Sequence, residues 1–493
     1  MIEHRARSPH SNTIIPRSHA LVFHSTREST HESARLASLA RHFLTRPMRA
    51  FALLCLALAT PGAYAADATT TNDMSSTRVS ALDAAAVRDR ARATRDYVVG
   101  VRRELHANPE LMWSEHASAA TIERELTALG IEHERVSSTG VVGTIGRGSR
   151  SVGLRADVDA LPLMEETELE YASRNDGKMH ACGHDGHVSM LLGAAKVLKA
   201  THDEDPEAFP GTVRLIFQPA EEGGAGAKEM LQPSDGTRGM LDFDPPIESV
   251  FGLHNWPYPE MPSGTMGTRG GTIMAGAGSF DVVVSGRGGH AAVPHKNKDV
   301  IVAGSAVVTA LQTLVSRLTD PLDSVVISVT VFNAGTASNI MPDTATLQGT
   351  LRALNPETFA AFQKKIADMA SSIAEAYGCT AETNFAPEHG GVKRVPYPPT
   401  VNDARAANLA MRVAADLFGA ENTRDVVPVM PAEDFSFFGQ QYPSVMMWLG
   451  AYNATAGATH PLHSAKYVLD ENVLTSGVAL HSMYALEYLR NGF

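Results

Sequence analysis

The stretch that decides the fold is HVSMLLGAAKVLKA, residues 187–200, followed by TVRLIFQPAEE, residues 212–222. Apolar residues recur in the first segment at the spacing of an α-helix. The second segment begins with a short apolar run that ends at Pro219, which is typical of a buried strand running into a turn. A helix next to a buried strand, repeated along the chain, predicts an α/β sheet with helices on both faces.

The same alternation extends to both sides of this stretch. Further strands are predicted at residues 140–146, 151–162, 249–257 and 442–451. Further helices are predicted at residues 79–110, ending before Pro109, at 118–130, stopped by Gly130, and at 470–490. The strands are short and β-branched, and the helices are amphipathic.

The middle of the chain has a different order of elements. Residues 276–385 have the pattern strand, helix, strand, strand, helix, strand, from GSFDVVVSG at 278–286 to CTAETNF at 379–385. The order βαββαβ is that of the ferredoxin-like arrangement. We therefore predict one catalytic domain, residues 85–275 and 386–493, interrupted by an inserted domain at residues 276–385.

Composition and charge exclude several classes of protein. The 493 residues are 44% hydrophobic and 19% charged, with 40 Gly and 27 Pro, which excludes a collagen, a coiled coil and a disordered scaffold. The formal net charge of −12 argues against nucleic-acid binding, which needs a basic surface. Three cysteines are too few for a disulfide framework, and 20 histidines point to metal chemistry.

The N-terminus has its own composition. Residues 1–47 are rich in Ser, Arg and His without a hydrophobic period, and are predicted to be a disordered extension. Residues 48–65 have the pattern of a signal peptide, with Arg49 as the positive flank, an apolar run and a small-x-small site ending at Ala65. We therefore expect cleavage after Ala65, a linker at residues 66–84, and a periplasmic or secreted protein.

Other interpretations of this N-terminus remain open. The apolar run from Ala50 to Ala59 is too short for a stable membrane span, which takes about 20 residues, but it is compatible with a buried helix. Cys55 would suit a lipoprotein, although the residues before it lack the small side chains expected there. Met48 is a candidate true start, which would make residues 1–47 a mis-assigned upstream extension.

Four short segments combine metal-ligand side chains with predicted strand ends. They are MHACGHDGH at 179–187, QPAEEGGAGAKEM at 218–230, GLHNWP at 252–257 and THPLHSAKY at 459–467. We predict that each lies at the carboxyl end of a strand, where open α/β sheets place their sites, so that the segments converge. A thiolate, carboxylates and imidazoles together suit zinc, manganese or cobalt rather than calcium.

Each cluster also has a simpler interpretation. A pair such as Cys182 and His184 is often coincidental, and a strand-end histidine such as His254 is often a satisfied polar residue. Adjacent glutamates are common at helix starts. Four such clusters together favour a metal site. Glu221 and Glu222 then have a specific use, because a dinuclear hydrolase needs one carboxylate as a ligand and another to take a proton from water.

Eight motifs occur in a fixed order over nearly all of residues 85–493. They are RADVDALP, MHACGHDGH, QPAEEGGAGAKEM, GLHNWP, GRGGHAAVPH, SNIMPDTATLQGTLRA, AEDFSFF and HPLHSAKY. This set resembles the amidohydrolase branch of the aminoacylase/carboxypeptidase metallopeptidases, peptidase family M-twenty, subfamily D. The branch includes hippurate hydrolases, N-acyl-amino-acid amidohydrolases and indole-acetyl-amino-acid hydrolases. The resemblance implies a dinuclear-metallopeptidase catalytic domain with an inserted ferredoxin-like domain that acts as lid and dimerisation domain.

The resemblance also implies cofactors and residue roles. Two divalent ions, manganese, zinc or cobalt, would be bound by Cys182, His184, Glu222, His254 and His463. Glu221 would be the general base and acid, and Asp157 would support a ligand histidine from behind. Supporting or structural roles, rather than ligand roles, are implied for Asp185, His187 and His460.

The inserted domain carries further implied contacts. His290 would reach the active site of the partner subunit and stabilise the oxyanion of the tetrahedral intermediate. Asn339 and Arg352 would hold the substrate's amide and free carboxylate, the latter through two parallel hydrogen bonds. Alternatively, Asn339 and Arg352 are ordinary polar residues on the surface of a strand. The resemblance thus implies a homodimer assembled through the edge strand and helix of the inserted domain.

The expected function is metal-dependent hydrolysis of the amide bond of N-acyl or N-aroyl amino acids, through a metal-activated water and Glu221. One alternative is a dipeptidase or carboxypeptidase of the same clan. The motif with Cys182 and His184 argues against it, because the dipeptidases and carboxypeptidases of the clan more often use an Asp as the bridging metal ligand. The other is an exported metal- or solute-binding protein without catalysis, against which the presence of Glu221 and the whole ligand set argues.

Overall fold

The computed structural model of the protein describes residues 83–207 and 209–493. The predicted extension, the signal peptide and nearly all of the linker lie outside these residues. The helices are α1 (Ala84–Ala93), α2 (Arg95–Ala107), α3 (His116–Ala128), α4 (His184–Glu204), α5 (Gly226–Leu231), α6 (Val300–Leu318), α7 (Pro356–Ala376), α8 (Ala404–Phe418), α9 (Ser436–Gly439) and α10 (Leu474–Asn491). The strands are β1 (Glu132–Val136), β2 (Gly140–Ile145), β3 (Ser151–Asp157), β4 (Thr212–Gln218), β5 (Ser249–Trp256), β6 (Met266–Thr268), β7 (Gly271–Met274), β8 (Gly276–Ser285), β9 (Gly289–His290), β10 (Val325–Ala334), β11 (Ile340–Met341), β12 (Thr344–Ala353), β13 (Thr380–Asn384), β14 (Glu388–His389), β15 (Val392–Lys393), β16 (Thr400–Asn402), β17 (Thr423–Asp425) and β18 (Ser444–Gly450).

The main sheet has eight strands in the order β1-β2-β4-β3-β5-β18-β6-β17. The central strands β4, β3, β5 and β18 are parallel to one another. On one side of these four strands, β2 runs antiparallel to β4, and β1 runs antiparallel to β2. On the other side, β6 runs antiparallel to β18. Because the central strands are parallel, their carboxyl ends share one edge, and the crevice at such an edge is where open sheets bind ligands.

Both faces of the main sheet are buried, as a parallel sheet requires. Alternate residues of β18 divide between two hydrophobic clusters. Val445 and Met447 pack with the long helices α1, α4 and α10 on one face, whereas Met446 and Trp448 pack with the short helices α5 and α9 on the other. The predicted α/β sheet with helices on both faces is confirmed.

A second sheet is formed by β10, β12, β8 and β13 in that order, and all its neighbouring strands are antiparallel. Together with α6 and α7 these strands follow the predicted order βαββαβ. Phe280 and Leu347 of the sheet pack against Val307 and Phe362 of the helices in a core of their own. The helices therefore cover one face of the second sheet, and the half-buried residues of β12 lie on the other face.

The predicted single helix at residues 79–110 is wrong in one respect, because the structure has two helices, α1 and α2. They meet at Thr94, whose hydroxyl and N–H both donate to the carbonyl of Ala91, at 2.7 and 3.0 Å. A threonine hydroxyl that bonds a nearby carbonyl competes with regular helical bonding. The amphipathic pattern continues through this break, which is why periodicity alone did not reveal it.

Within the described residues, α6 has the length and apolar composition of a membrane span. A single helix of this kind is weak evidence for a span, because helices of soluble proteins have the same properties. One face of α6 packs on the second sheet, and residues outside that face, including Ile301 and Val302, are exposed.

Candidate active site

Cys182 and His184 lie where the chain enters α4. Gly183 between them has a φ of +85°, a conformation that favours glycine. A Cβ at this position would lie 2.5 Å from Nδ2 of Asn255 and 2.6 Å from the hydroxyl of Tyr467. No strand directly precedes this segment, so the prediction that every cluster follows a strand is wrong here. The two side chains reach the crevice because the first turn of α4 begins at its edge.

Glu221 and Glu222 lie in a turn directly after β4. The backbone N–H groups of both residues donate to the carboxylate of Asp159, at 3.0 Å each. Ala220 before them has a φ of +54°, which is uncommon for a residue with a side chain. Asp159 thus holds the turn in place, with Glu221 buried and Glu222 half-buried.

His254 lies near the end of β5, and His463 lies in the loop after β18. His463 has a φ of +62°, and its N–H donates to the carbonyl of Ala181 at 2.8 Å. This bond ties the loop to the segment that carries Cys182. A left-handed non-glycine residue costs about 1–3 kcal/mol and is often found at functional sites.

The structure brings the predicted ligands together. Ligand atoms within 4.8 Å of one another form four groups among the described residues. The first group is Cys182, Glu222 and His463, and the second is His184, Glu221 and Glu222; these two are called the ligand groups below. His254 belongs to a third group, with Asp157, His184 and His187. Nε2 of His254 lies 3.4 Å from Sγ of Cys182. Glu222 belongs to both ligand groups, so its carboxylate would be within reach of a cation held by either one.

Hydrogen bonds at the other ring nitrogen orient two of these histidines. Nδ1 of His184 donates to the carbonyl of Asp159 at 2.8 Å, and Nδ1 of His254 donates to the carbonyl of Asn255 at 2.7 Å. A carbonyl only accepts, so Nδ1 carries a proton in both rings, and Nε2 is the atom that would ligate a metal. Nε2 of His184 is buried and has no hydrogen-bond partner among the described residues.

The chemistry of these atoms fits a divalent metal. Oε1 of Glu222 is buried without a hydrogen bond, although Nε2 of His463 lies 3.2 Å away. The neighbouring Cys182 thiol and Glu222 carboxylate raise the pKa of His463 to about 10, and burial raises the pKa of the Cys182 thiol. A cation would satisfy the thiolate, the carboxylate oxygen and the free imidazole nitrogens together. This donor set suits zinc, manganese or cobalt.

Asp157 ends β3 beneath the ligand groups. Its carboxylate accepts from Nδ1 of His187 at 2.5 Å and from Arg155 at 2.8 Å, and lies 3.4 Å from Nε2 of His184. Against the effect of burial, Arg155 and the two histidines hold the pKa of Asp157 well below its usual range. Nε2 of His187 accepts from the N–H of Asn255 at 3.0 Å, so both ring nitrogens of His187 are engaged.

Asp185 and His460 have no place in the two ligand groups. The Asp185 carboxylate lies 2.8 Å from Nε of Arg102 and 2.7 Å from Nδ1 of His106. Arg102 also forms an ion pair with Glu471, with 3.3 Å between Nη1 and Oε1. His460 is exposed on the loop that carries His463. Asp185 therefore braces the first turn of α4 from within the core.

Two acidic residues near Glu221 had no role in the sequence analysis. Glu433 and Asp434 of the AEDFSFF motif lie within 4.8 Å of Glu221, and the N–H of Asp434 donates to its Oε1 at 3.3 Å. Arg155 lies between them as a buried cation, 2.8 Å from Glu433 and 3.2 Å from Asp434. Burial, with Glu433, Glu222 and Asp434 close by, raises the pKa of Glu221 well above its ordinary value. A carboxylate with this affinity for a proton suits a general base.

A cavity of about 730 Å³ opens over the ligand groups and is lined by residues of both sheets. Two guanidinium groups line it, those of Arg352 on β12 and Arg394 just after β15. Apolar lining side chains include Trp256, Tyr258, Met274, Val395, Met430 and Leu462. The volume is that of a small-molecule site.

His290 and Asn339 do not line this cavity. His290 lies in β9, pairs with β11 and is exposed. The N–H of Ala291 donates to the carbonyl of Asn339 at 3.1 Å, so the two residues are neighbours. Of the predicted substrate-binding residues, only Arg352 faces the cavity of its own chain. Asn339 and Arg352 therefore do not line the same cavity of one chain, and their joint role in holding a substrate stays a prediction.

Residues 153–487 match the family described as Peptidase family M20/M25/M40. The chain belongs to this family. It is 43% identical to the IAA-amino acid hydrolase ILR1-like 2 of Arabidopsis thaliana, over 80% of this chain and 86% of that protein. It is 39% identical to the hippurate hydrolase of Campylobacter jejuni, over 79% of this chain and 96% of that protein. It is 38% identical to the thermostable carboxypeptidase 2 of Saccharolobus solfataricus, over 80% of this chain and 95% of that protein.

A solved structure agrees with these relatives. The M20 family dinuclear metal binding peptidase of Bacillus subtilis matches with a TM-score of 0.66 and 32% identity, over 81% of this chain and 99% of that chain. The predicted family resemblance and fold class are confirmed. The chain is a hydrolase of the M20 metallopeptidase family, as its motifs predicted.

Proposed function

We propose that this M20 hydrolase cleaves the amide bond of N-acyl or N-aroyl amino acids and releases a carboxylic acid and a free amino acid. The observation that carries the proposal is one cavity that joins buried Glu221, the ligand groups, apolar side chains and Arg352. Apolar side chains suit an acyl or aroyl group, and a guanidinium suits a free carboxylate. The names of two similar proteins, an IAA-amino acid hydrolase and a hippurate hydrolase, support the same substrate class.

The proposed chemistry uses two divalent ions, manganese, zinc or cobalt, held by Cys182, His184, Glu222, His254 and His463. These residues would hold the ions, and the ions would supply Lewis-acid activation of a water and of the substrate carbonyl. The Glu221 carboxylate takes the proton of the attacking water and later delivers it to the leaving amine. Its burial keeps bulk water away from that proton. Arg352 orients the substrate through its free carboxylate.

Glu221→Gln tests this assignment. The amide keeps the shape of the side chain but accepts no proton, so turnover of hippurate-like substrates should fall by about 10²–10⁴-fold. Bound metal per chain, measured by elemental mass spectrometry, should stay at the wild-type level. Glu260→Gln makes the same change on the surface and should keep wild-type turnover. Near-native turnover by a metal-loaded Glu221→Gln variant would contradict the mechanism.

A carboxypeptidase or dipeptidase is the second candidate, and the likeness to thermostable carboxypeptidase 2 favours it. A panel that pairs N-acyl amino acids with dipeptides of the same C-terminal residue separates the two. A higher kcat/KM for the dipeptides would assign the second function. A metal-loaded protein that hydrolyses no member of the panel would indicate a non-catalytic metal- or solute-binding protein.

We also propose a homodimer assembled through the inserted domain. Ile301 and Val302 of α6 and Phe332 of the edge strand β10 are exposed. An open edge strand beside an exposed apolar helix surface favours self-association. His290 and Asn339 lie on the same domain outside their own cavity, where a partner's site could use them. Sedimentation of the wild type against Ile301→Asp tests this, and a monomeric wild type would contradict it.

Export is a further proposal, which rests on the sequence of residues 48–65 alone. Those residues lie outside the described part of the chain. The N-terminus of the protein isolated from its native host should be Ala66, and an intact Met48 or Met1 would contradict the proposal.

A further inference from the structure

Arg394 lines the cavity without an ionic partner. It follows the hairpin of β14 and β15, and its side chain makes no hydrogen bond or ion pair with any described residue. Arg352 likewise has no partner in the described part of the chain. Two unpaired guanidinium groups in one small cavity leave two anion-binding positions open to a ligand.

The hairpin before Arg394 is fastened to the second sheet. Nε2 of His389 lies 3.1 Å from the carboxylate of Asp281 on β8 and 2.8 Å from the amide nitrogen of Gln348 on β12. The N–H of Arg394 donates to the carbonyl of Pro387 at 2.8 Å and closes the hairpin. These contacts set the point at which the chain re-enters the cavity.

The chain after Arg394 is fastened to the turn that carries Glu221. The hydroxyl of Tyr397 donates to the carbonyl of Glu221 at 2.8 Å and accepts from the N–H of Ala225 at 2.9 Å. Tyr397 is buried. Arg394 therefore lies on a short segment that is anchored on both sides, which limits the entropy lost when its side chain binds a ligand.

Glycine at position 223 makes room for the Arg394 guanidinium. A Cβ on Gly223 would lie 2.4 Å from Nη1 of Arg394, and Gly223 has a φ of +107°. Nη1 therefore packs against the backbone of the turn next to Glu222. This close approach places the cation beside the reacting groups.

The segments that carry Arg394 and Arg352 are linked through β8. Ala277 on β8 pairs in register with Arg352 on β12 and exchanges two backbone hydrogen bonds with Tyr397, at 2.8 and 2.9 Å. The chain segments that carry the two cations are therefore both tied to β8 of the second sheet, and the Arg394 guanidinium reaches from there to the turn at Gly223.

We infer that Arg394 is a specificity-determining residue that binds a second carboxylate, so that the preferred substrates are N-acyl derivatives of aspartate and glutamate. The inference rests on the proposed function. Arg352 binds the α-carboxylate, Arg394 binds the side-chain carboxylate, and the acyl group contacts the apolar side chains. A substrate with a single carboxylate leaves the Arg394 guanidinium without an ionic partner and lacks the charge-assisted hydrogen bonds that a second carboxylate would make.

N-Benzoyl-L-glutamate and N-benzoyl-L-glutamine test the inference, because they have nearly the same shape and differ by one charge. The wild-type KM for the glutamate compound should be lower by about tenfold or more. Arg394→Gln should raise that KM by about tenfold and change the KM for the glutamine compound by less than about twofold. Arg394→Lys, which keeps the charge without the planar fork, should lie between the two.

Lys393→Gln is the matched control, because it removes one positive charge from an exposed neighbour outside the cavity lining. This variant should discriminate like the wild type. A binding measurement independent of turnover uses glutarate and butyrate. Glutarate should raise the Tm of the wild type more than butyrate does, and the difference should vanish in Arg394→Gln.

Equal wild-type KM values for the two benzoyl compounds, or equal KM changes for both in Arg394→Gln, would overturn the inference. Failure of the proposed function is a different result, in which the metal-loaded wild type cleaves neither compound and no N-acylglycine. In that case the Tm shifts with glutarate and butyrate still decide whether Arg394 binds a second carboxylate.

Discussion

Arg155 shows what one buried residue contributes to this site. Its guanidinium is fully buried, lies within 3.2 Å of carboxylates of Asp157, Glu433 and Asp434, and donates from Nε to Gln218 at 2.8 Å. Removing one partner from a buried ionic cluster leaves charges that neither water nor another cation compensates. The residue is thus the cation that joins the carboxylates of Asp157, Glu433 and Asp434 next to Glu221.

Arg155→Met should lower the free energy of unfolding by about 3–5 kcal/mol, because three buried carboxylates lose their cation. Urea unfolding followed by circular dichroism measures the change. Arg135→Met is the control, since Arg135 pairs with Glu123 at the surface and its loss should cost about 1 kcal/mol or less. Equal losses in the two variants would show that the cluster does not depend on Arg155.

At the scale of an element, the first turn of α4 presents two predicted ligands. Gly183 has a left-handed backbone and lies against Asn255 and Tyr467, so this turn is set by close packing as well as by its own sequence. Asp185, braced by Arg102, holds the turn from the opposite side.

Gly183→Ala should displace Cys182 and His184, because the added Cβ would come within 2.6 Å of two neighbouring side chains at an unfavourable φ. We expect a loss of about 1–3 kcal/mol in unfolding free energy and fewer metal ions per chain. Gly177→Ala is a matched control, since Gly177 has a φ of +73° with no atom within 4 Å of its Cβ position. The control should cost about 1 kcal/mol and keep the metal content. Full metal content in Gly183→Ala would contradict this account.

At the scale of the whole molecule, acid stability depends on histidines enclosed by the main core. His481 of α10 is fully buried, meets the ring of Phe251 edge-on at 5.2 Å, and has no hydrogen-bond partner at either nitrogen among the described residues. Burial, with a contribution from His187, lowers its pKa to about 3. An unfolded chain would protonate this ring near pH 6.5.

Between its folded and unfolded pKa values, His481 therefore binds a proton only in the unfolded state, and stability falls as the pH falls. The loss from this residue between pH 7 and pH 5 is about 2 kcal/mol. His481→Leu should unfold with a correspondingly weaker pH dependence in urea titrations. His295→Leu, at an exposed position, should keep the wild-type dependence. An unchanged slope in His481→Leu would show that His481 takes up its proton without unfolding.

Much of this molecule could be predicted from local pattern. The apolar run in TVRLIFQ correctly indicated a buried strand, and SVMMWLG correctly indicated a further strand. The order of elements in residues 276–385 correctly indicated the second sheet. The ligand clusters were visible because cysteine, histidine and glutamate are unusual next to apolar runs. The break at Thr94 was missed because its side-chain hydrogen bond leaves the amphipathic pattern unchanged.

The sequence by itself determined the fold class, the family resemblance and the set of candidate ligands, since each depends on residue types at short spacings. Only the tertiary structure decided which of these residues meet. Arg155 and Glu433 are separated by 278 positions and form an ion pair because the sheet brings their segments together. Arg394 carries no motif, and its place in the cavity follows from the contacts of His389 and Tyr397. Such contacts depend on packing and on the exclusion of water, which a local pattern does not encode.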